Sequence, residues 1–328
     1  MGGGHGHDHA PDAALASSDR GIRAVTRSLL ALLVTAAAQA AVVAASGSVA
    51  LLADTIHNLS DALTGVPLWI AFVLGRRPPS RRYPYGLHRA EDLAGVVIVL
   101  AIAASAALAG WEALRRLADP RPPEHLPLVA AAGAIGFLGN ELVARYRIAV
   151  GRRIGSAALV ADGHHARTDG FTSLGVVAAA AGQAAGIRLA DPVVGLAITV
   201  AILLVLRGAA SSVIHRILDG TEESTILLFE EVAAAVPGVE HVSDVRARWA
   251  GHGLVADLCI QVDPRLSVEE GHAIAERVRH ALLHEVGQLR SAVVHVDPHL
   301  HDGPDPHAPT AHHEGRADGA SGAVGPPG

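Results

Sequence analysis

Hydrophobic positions along this chain gather into six long runs, at about residues 25–45, 48–74, 90–117, 127–148, 156–182 and 189–214. Each reaches the roughly 20 apolar residues that cross ~30 Å of hydrocarbon. The interruptions are short and carry turn or charge signals: Ser46-Gly47-Ser48, Arg76 to Arg89, Asp119 to Glu124, Gly151 to Gly155 and Gly186 to Asp191. Alanine dominates several runs, so any one alone also fits a buried helix of a soluble protein. Six in succession predict a polytopic α-helical membrane protein. Leu29 to Ala40 ends in small residues as a signal peptide does, but apolar sequence continues past the would-be cleavage point. An uncleaved helix is the expectation.

After Asp219-Gly220 the pattern becomes that of a small soluble domain. Glu222 to Val236 reads as an amphipathic helix stopped by Pro237-Gly238. Val239 to Trp249 and Leu254 to Val262 read as strands joined through Gly251-His252-Gly253. Ser267 with Glu270 three residues on opens a helix to about Val286, and Ala292 to Asp297 is a last strand. The order αββαβ predicts a compact α+β domain of ferredoxin-like or metallochaperone-like type. The chain thus divides into a His-containing disordered tail (1–23), a six-helix transmembrane domain (24–216), a cytoplasmic α+β domain (217–298) and a His/Pro/Gly-rich disordered tail (299–328).

Composition sharpens this picture. Half of the 328 residues are hydrophobic, only 18% are charged, and the net charge is −6, which argues against a nucleic-acid partner. A single cysteine, Cys259, excludes a disulfide scaffold and any CxxC site. All basic residues are arginine. With the N-terminus placed in the cytoplasm, fourteen of them, Arg147 included, fall on the inner side, against Arg115, Arg116, Arg121 and Arg188 on the outer. That asymmetry predicts both termini in the cytoplasm of a multi-pass plasma-membrane protein. Histidine is abundant, at 20, and eight of these lie in the tails.

The chemistry sits in an internal repeat. Ala53-Asp54-Thr55-Ile56-His57-Asn58-Leu59-Ser60-Asp61 in the second run matches Ala161-Asp162-Gly163-His164-His165-Ala166-Arg167-Thr168-Asp169 in the fifth, 108 residues on. Residues four apart share a helix face, so His57 points with Asp61 and His165 with Asp169. The two spans run in opposite directions; side by side they bring two imidazoles and two carboxylates together at mid-membrane. Four N/O ligands in a tetrahedron suit Zn²⁺. A carboxylate at the bilayer centre costs roughly 2.5–3.5 kcal/mol, which argues for a wet cavity or a bound cation. Asp54 and Asp162, a turn further along, are expected to line the cavity. His164 is expected to be structural, Arg167 to snorkel or pair, and Pro67 to kink the second span.

These paired motifs make the chain resemble the cation diffusion facilitators, zinc-transporting membrane antiporters. The likeness extends to Gly47-Ser48-Val49, to Tyr83-Pro84-Tyr85-Gly86 with His88, Arg89 and Glu91, and to His295 and Asp297 closing the αββαβ domain, so it covers about residues 20–298. The resemblance implies a homodimer that exchanges a divalent metal for protons, with transport ligands His57, Asp61, His165 and Asp169. It associates the His-containing second-span motif with zinc. It also implies an interlocking pair between Arg89 and Asp219, and a candidate metal site on the cytoplasmic domain at His272, His295 and Asp297. Two further histidine positions of that site are Ser243 and Gln261 here.

Zn²⁺ is therefore expected as transported substrate and candidate structural ion, with no organic cofactor. A histidine must be neutral to hold a metal, so entry of metal expels protons and acid releases it. The His-rich tails either concentrate metal or are plain solvated tails. Efflux of Cd²⁺, Co²⁺ or Fe²⁺ by the same route is the near alternative, and a membrane-bound metal sensor or scaffold the more distant one. A membrane metallohydrolase fits poorly, because the four ligands lie within apolar helices beside no nucleophile motif; an enzyme is not expected.

Overall fold

In the computed structural model, residues 9–46, 63–118, 126–187 and 189–299 are described. Helix α1 (His9–Ser46) is followed by a 3-10 turn at Leu63–Gly65 and by α2 (Val66–Gly75). Then come α3 (Ala90–Ala118), α4 (Leu126–Ile154), α5 (Ala157–Ala184) and α6 (Ala190–Ile217). Among the described residues, four stretches are long and apolar enough to cross a membrane: Leu15–Ala41, Ala90–Ala118, Pro127–Ile154 and Ala190–Ile217. Helix α5 has the same length as α6, 28 residues, but carries Asp162, His164, His165, Arg167 and Asp169 among its apolar positions. Of the expected second span, α2 is described; residues 47–62, with Asp54, His57 and Asp61, lie outside the described residues. Pro67 stands in the first turn of α2, directly after the 3-10 turn, where a proline costs no helical hydrogen bond.

Helix α5 is the buried centre of the bundle. It packs most extensively on α4, then on α6 and α3. Leu100, Leu108 and Trp111 of α3, Leu138 and Leu142 of α4, and Leu203 and Leu204 of α6 are exposed. Such an apolar outer surface suits lipid, where only closed backbone hydrogen bonding is tolerated. Gly163 is why α4 and α5 sit so close. A Cβ there would lie 3.0 Å from the Ile148 nitrogen and 3.1 Å from the Ala144 oxygen, and small residues at such crossings let two backbones meet. A tight link joins the pair: Gly155 takes φ +75°, and the Ser156 hydroxyl accepts from Leu159 N at 3.0 Å to cap α5.

Helix α1 corrects the expected N-terminal tail. It begins at His9, inside the stretch 1–23 that composition suggested would be disordered. Pro11 is tolerated in a first turn and the following Ala13, Ala14 and Ala16 are strong helix formers, so the helix extends outward past the apolar run. The C-terminal tail beyond residue 299 lies outside the described residues.

The soluble domain is α7 (Glu223–Ala234), β1 (His241–Ala250), β2 (Gly253–Val262), α8 (Val268–Glu285) and β3 (Leu289–Pro298). This is the αββαβ order the pattern predicted. The sheet runs β1-β2-β3, antiparallel in the first pair and parallel in the second, with α8 as the crossover. Ser267 and Glu270 form a reciprocal capping box at the start of α8. Phe229, Trp249, Leu254, Ile260, Val278 and Leu282 build its core. Strand β3 starts at Leu289, three residues before the expected Ala292, because Leu289 is itself a core residue paired with Leu254.

Candidate functional site

His165 and Asp169 lie one turn apart in the middle of α5, 2% and 4% exposed, with Nδ1 and Oδ1 3.7 Å apart. The neighbouring hydroxyls turn back into the helix: Thr168 donates to the His165 carbonyl and Thr172 to the Asp169 carbonyl, each at 2.7 Å. Of the expected four ligands, His165 and Asp169 are described, and His57 and Asp61 fall outside the described residues. Among the described residues no three metal-ligating side chains gather at one point.

Asp162, expected on a cavity wall, is instead wholly buried against Arg147 of α4, with Oδ2 2.9 Å from Nη1. Arg147 is itself 1% exposed. It thus leaves the group of arginines counted at the cytoplasmic surface, because an acidic partner on the adjacent helix holds it inside. The asymmetry of the remaining arginines is unaffected. Arg167 pairs with Glu141 at 3.1 Å, as one of its two expected alternatives. His164 is half-buried next to the site, its Nδ1 without a hydrogen-bond partner among the described residues.

A second cluster, missed by sequence reasoning, joins the two domains. The β1–β2 turn inserts its tip among the ends of α1, α2, α3 and α6. His252 Nδ1 is 2.6 Å from Glu91 Oε2, both side chains nearly inaccessible. Arg290 donates to His252 Nε2 at 2.8 Å and to His88 Nδ1 at 2.6 Å. A guanidinium only donates, so both those nitrogens accept, which leaves the His252 Nδ1 proton for Glu91. The Gly251 N–H donates to Asp92 at 3.3 Å, and Arg216 donates to the Gly155 carbonyl at 2.6 Å while lying 4.0 Å over the Trp249 ring. Only glycine fits at 251: φ is +60°, and a Cβ would stand 2.7 Å from the His88 carbonyl. Burial, then the charge of Arg290, pushes His88 down to about 4. Beside this cluster Arg89 and Asp219 form the ion pair that the resemblance implied.

On the soluble domain His295 and Asp297 alternate along β3 with the core residues Ala292 and Val296, and so share the face opposite α8, 3.0 Å apart. His272 sits exposed on α8. The third member of that candidate site is thus not brought to the other two within one chain, because the sheet lies between them. Cys259 stands in register with His295 and Ser243. Burial, then the nearby Asp297 charge, raises its thiol. His299 reaches Gln261 at 2.6 Å.

The profile of the cation efflux transmembrane domain matches residues 25–218, and that of the cation efflux protein cytoplasmic domain matches 221–299. The chain belongs to the cation diffusion facilitator family. Within that cation efflux family, it is 55% identical over 299 residues to the probable cation efflux system protein Rv2025c of Mycobacterium tuberculosis, covering 90% of each chain. It is 24% identical over 254 residues to the manganese efflux system protein MneS of Bacillus subtilis, covering 76% of this chain and 86% of that one. A solved MamM-CTD 215-293 structure is 35% identical over 24% of this chain and 98% of its own, with a TM-score of 0.23. As a cation diffusion facilitator, the chain is a multi-pass membrane protein that carries metal cations out. Its buried donors on α5 are of the kind such a cargo needs, imidazole nitrogen beside carboxylate oxygen.

Proposed function

We propose that this protein exports a divalent cation, Zn²⁺ before others, from the cytoplasm in exchange for protons, through a tetrahedral site of His57, Asp61, His165 and Asp169. The observation that carries the reading is the burial of His165 with Asp169 on one face of α5. Two such titratable groups inside a membrane bundle mark an ion or proton path. Metal binds the deprotonated donors, so loading on the cytoplasmic side sends protons off, and protons arriving from outside reclaim the imidazoles and discharge the metal. Two imidazoles among the four ligands favour Zn²⁺ over harder cations, which prefer all-oxygen shells. Asp54 lines the approach to this site. The working unit is a homodimer in the plasma membrane with both termini cytoplasmic, and the Arg89–Asp219 pair is its hinge. His295 and Asp297 offer a partial metal site on the cytoplasmic domain, to which a second copy contributes its His272.

The test is Zn²⁺ flux into proteoliposomes under an imposed pH gradient, wild type against Asp169→Ala. Gradient-driven flux that disappears in the variant is the expected result. Equal flux in both removes the site assignment, and none in either, with the protein folded, favours a sensor. The manganese-exporting relative makes Mn²⁺ the cation to run in competition beside Cd²⁺, Co²⁺ and Fe²⁺.

A further inference from the structure

We propose that Arg147 is a positioning residue of the transport path, holding the Asp162 carboxylate out of reach of the cargo cation; this rests on the α5 site proposed above. Asp162, His165 and Asp169 follow one another at i, i+3 and i+7, along a single stripe of α5. Asp162 is therefore one turn, about 4.5 Å of helix rise, from His165. It is also on the side of the cytoplasmic domain. The preceding Gly155 is bonded to Arg216, and a Cβ on it would touch Trp249 at 3.2 Å. A cation coming from that side meets the level of Asp162 before that of His165. A carboxylate placed there would capture it.

Arg147 prevents this in the arrangement seen. Gly163 lets α4 approach closely enough to set Arg147 opposite Asp162, and Gly65 leaves room for the guanidinium, since a Cβ there would lie 3.2 Å from Nη2. A guanidinium presents a planar fork of donors that matches a carboxylate. Among the described residues the pair is also incompletely satisfied. Arg147 Nε and Nη2 and both Asp162 carboxylate oxygens have no hydrogen-bond partner among the described residues; the 2.9 Å approach of Nη1 to Oδ2 is an ion pair without hydrogen-bond geometry. Pure structural glue in a bundle core would close these positions; an ion pair with unused donors and acceptors is one that can open. A net-neutral pair below the site offers the cation neither a trap nor a barrier.

The experiment is Zn²⁺ flux into proteoliposomes with the full-length protein, read as KM and maximal rate. Removing the positive charge in Arg147→Gln exposes a carboxylate to the cation and lowers KM about tenfold, with a slower maximal rate as release lags. Removing the negative charge in Asp162→Asn leaves a bare guanidinium and raises KM by a similar factor. The double variant returns KM to the wild-type value, and Arg147→Lys stays close to it. Opposite shifts that cancel are the signature of charge positioning, since a packing defect moves both variants the same way. Unchanged KM in the single variants, or shifts the double does not reverse, overturns the proposal. If Arg147→Gln fails to fold, Asp162→Asn decides alone, an unchanged KM overturning it. Asp169→Ala is run alongside. Lost flux there with a flat KM series leaves the transport reading and removes this one, while surviving flux removes both.

Discussion

His88 accepts a hydrogen bond from Arg290 and cannot do so once protonated. Burial and the neighbouring guanidinium hold it down to about 4, from 6.5 in an unstructured chain. Between those values the undocked chain binds a proton that the docked one refuses, so stability rises with pH across that window. The contribution of this contact is complete above pH 6.5 and is lost as pH falls toward 4. Hydrogen-exchange protection at residues 251–253, taken relative to the intrinsic rate at each pH, should fall over that range, and His88→Gln, whose amide oxygen still accepts, should flatten the dependence. An unaltered profile in the variant would place the sensitivity elsewhere. The buried Arg147–Asp162 pair makes a stability statement too. Arg147→Ala strands a carboxylate and should cost about 3–5 kcal/mol, while Arg147→Met with Asp162→Leu, which removes both charges, should cost far less. Thermal unfolding in detergent compares the two.

The contact between α4 and α5 turns on Gly163. Enlarging it to Val drives a side chain against the backbone of Ala144 and Ile148, which cannot rotate away, and should lower stability by about 1–3 kcal/mol in the same melting assay. Elements of this kind were largely legible in the sequence. Apolar length announced α3, α4 and α6, and the alternation of β2 together with the Ser267–Glu270 spacing announced the soluble domain. Both signals come from neighbours along the chain. What escaped depended on distant partners. Arg147 looks like an ordinary arginine near the inner end of a span, and nothing within its own helix shows that an aspartate fifteen positions on will draw it inward. His252 looks like a turn residue until Glu91 and Arg290 are folded around it. The repeat made His165 and Asp169 conspicuous, because two acids and a histidine in register twice have no packing rationale in lipid. Helix α1 reaches back to His9 because alanine favours helix even where hydropathy is low.

At the scale of the whole molecule, the two domains meet through buried polar groups as well as through a linker. His252→Ala should therefore loosen the membrane helices themselves. Protease access to residues 76–89 should rise relative to wild type, whereas digestion unchanged from wild type would show that the linker alone keeps the domains docked. The partners in that contact are made at very different times. Glu91 and His252 are 161 residues apart, so at about 5–20 residues per second the acid waits roughly 8–30 s for its histidine during synthesis. Through that interval the foot of α3 carries a charge with its eventual hydrogen-bond donor still unmade. A ribosome stalled near residue 220 would thus leave a bundle inserted in the bilayer but not yet locked, and quality-control proteases would meet it in its most vulnerable form. The later-made domain finishes the fold of the helices made before it.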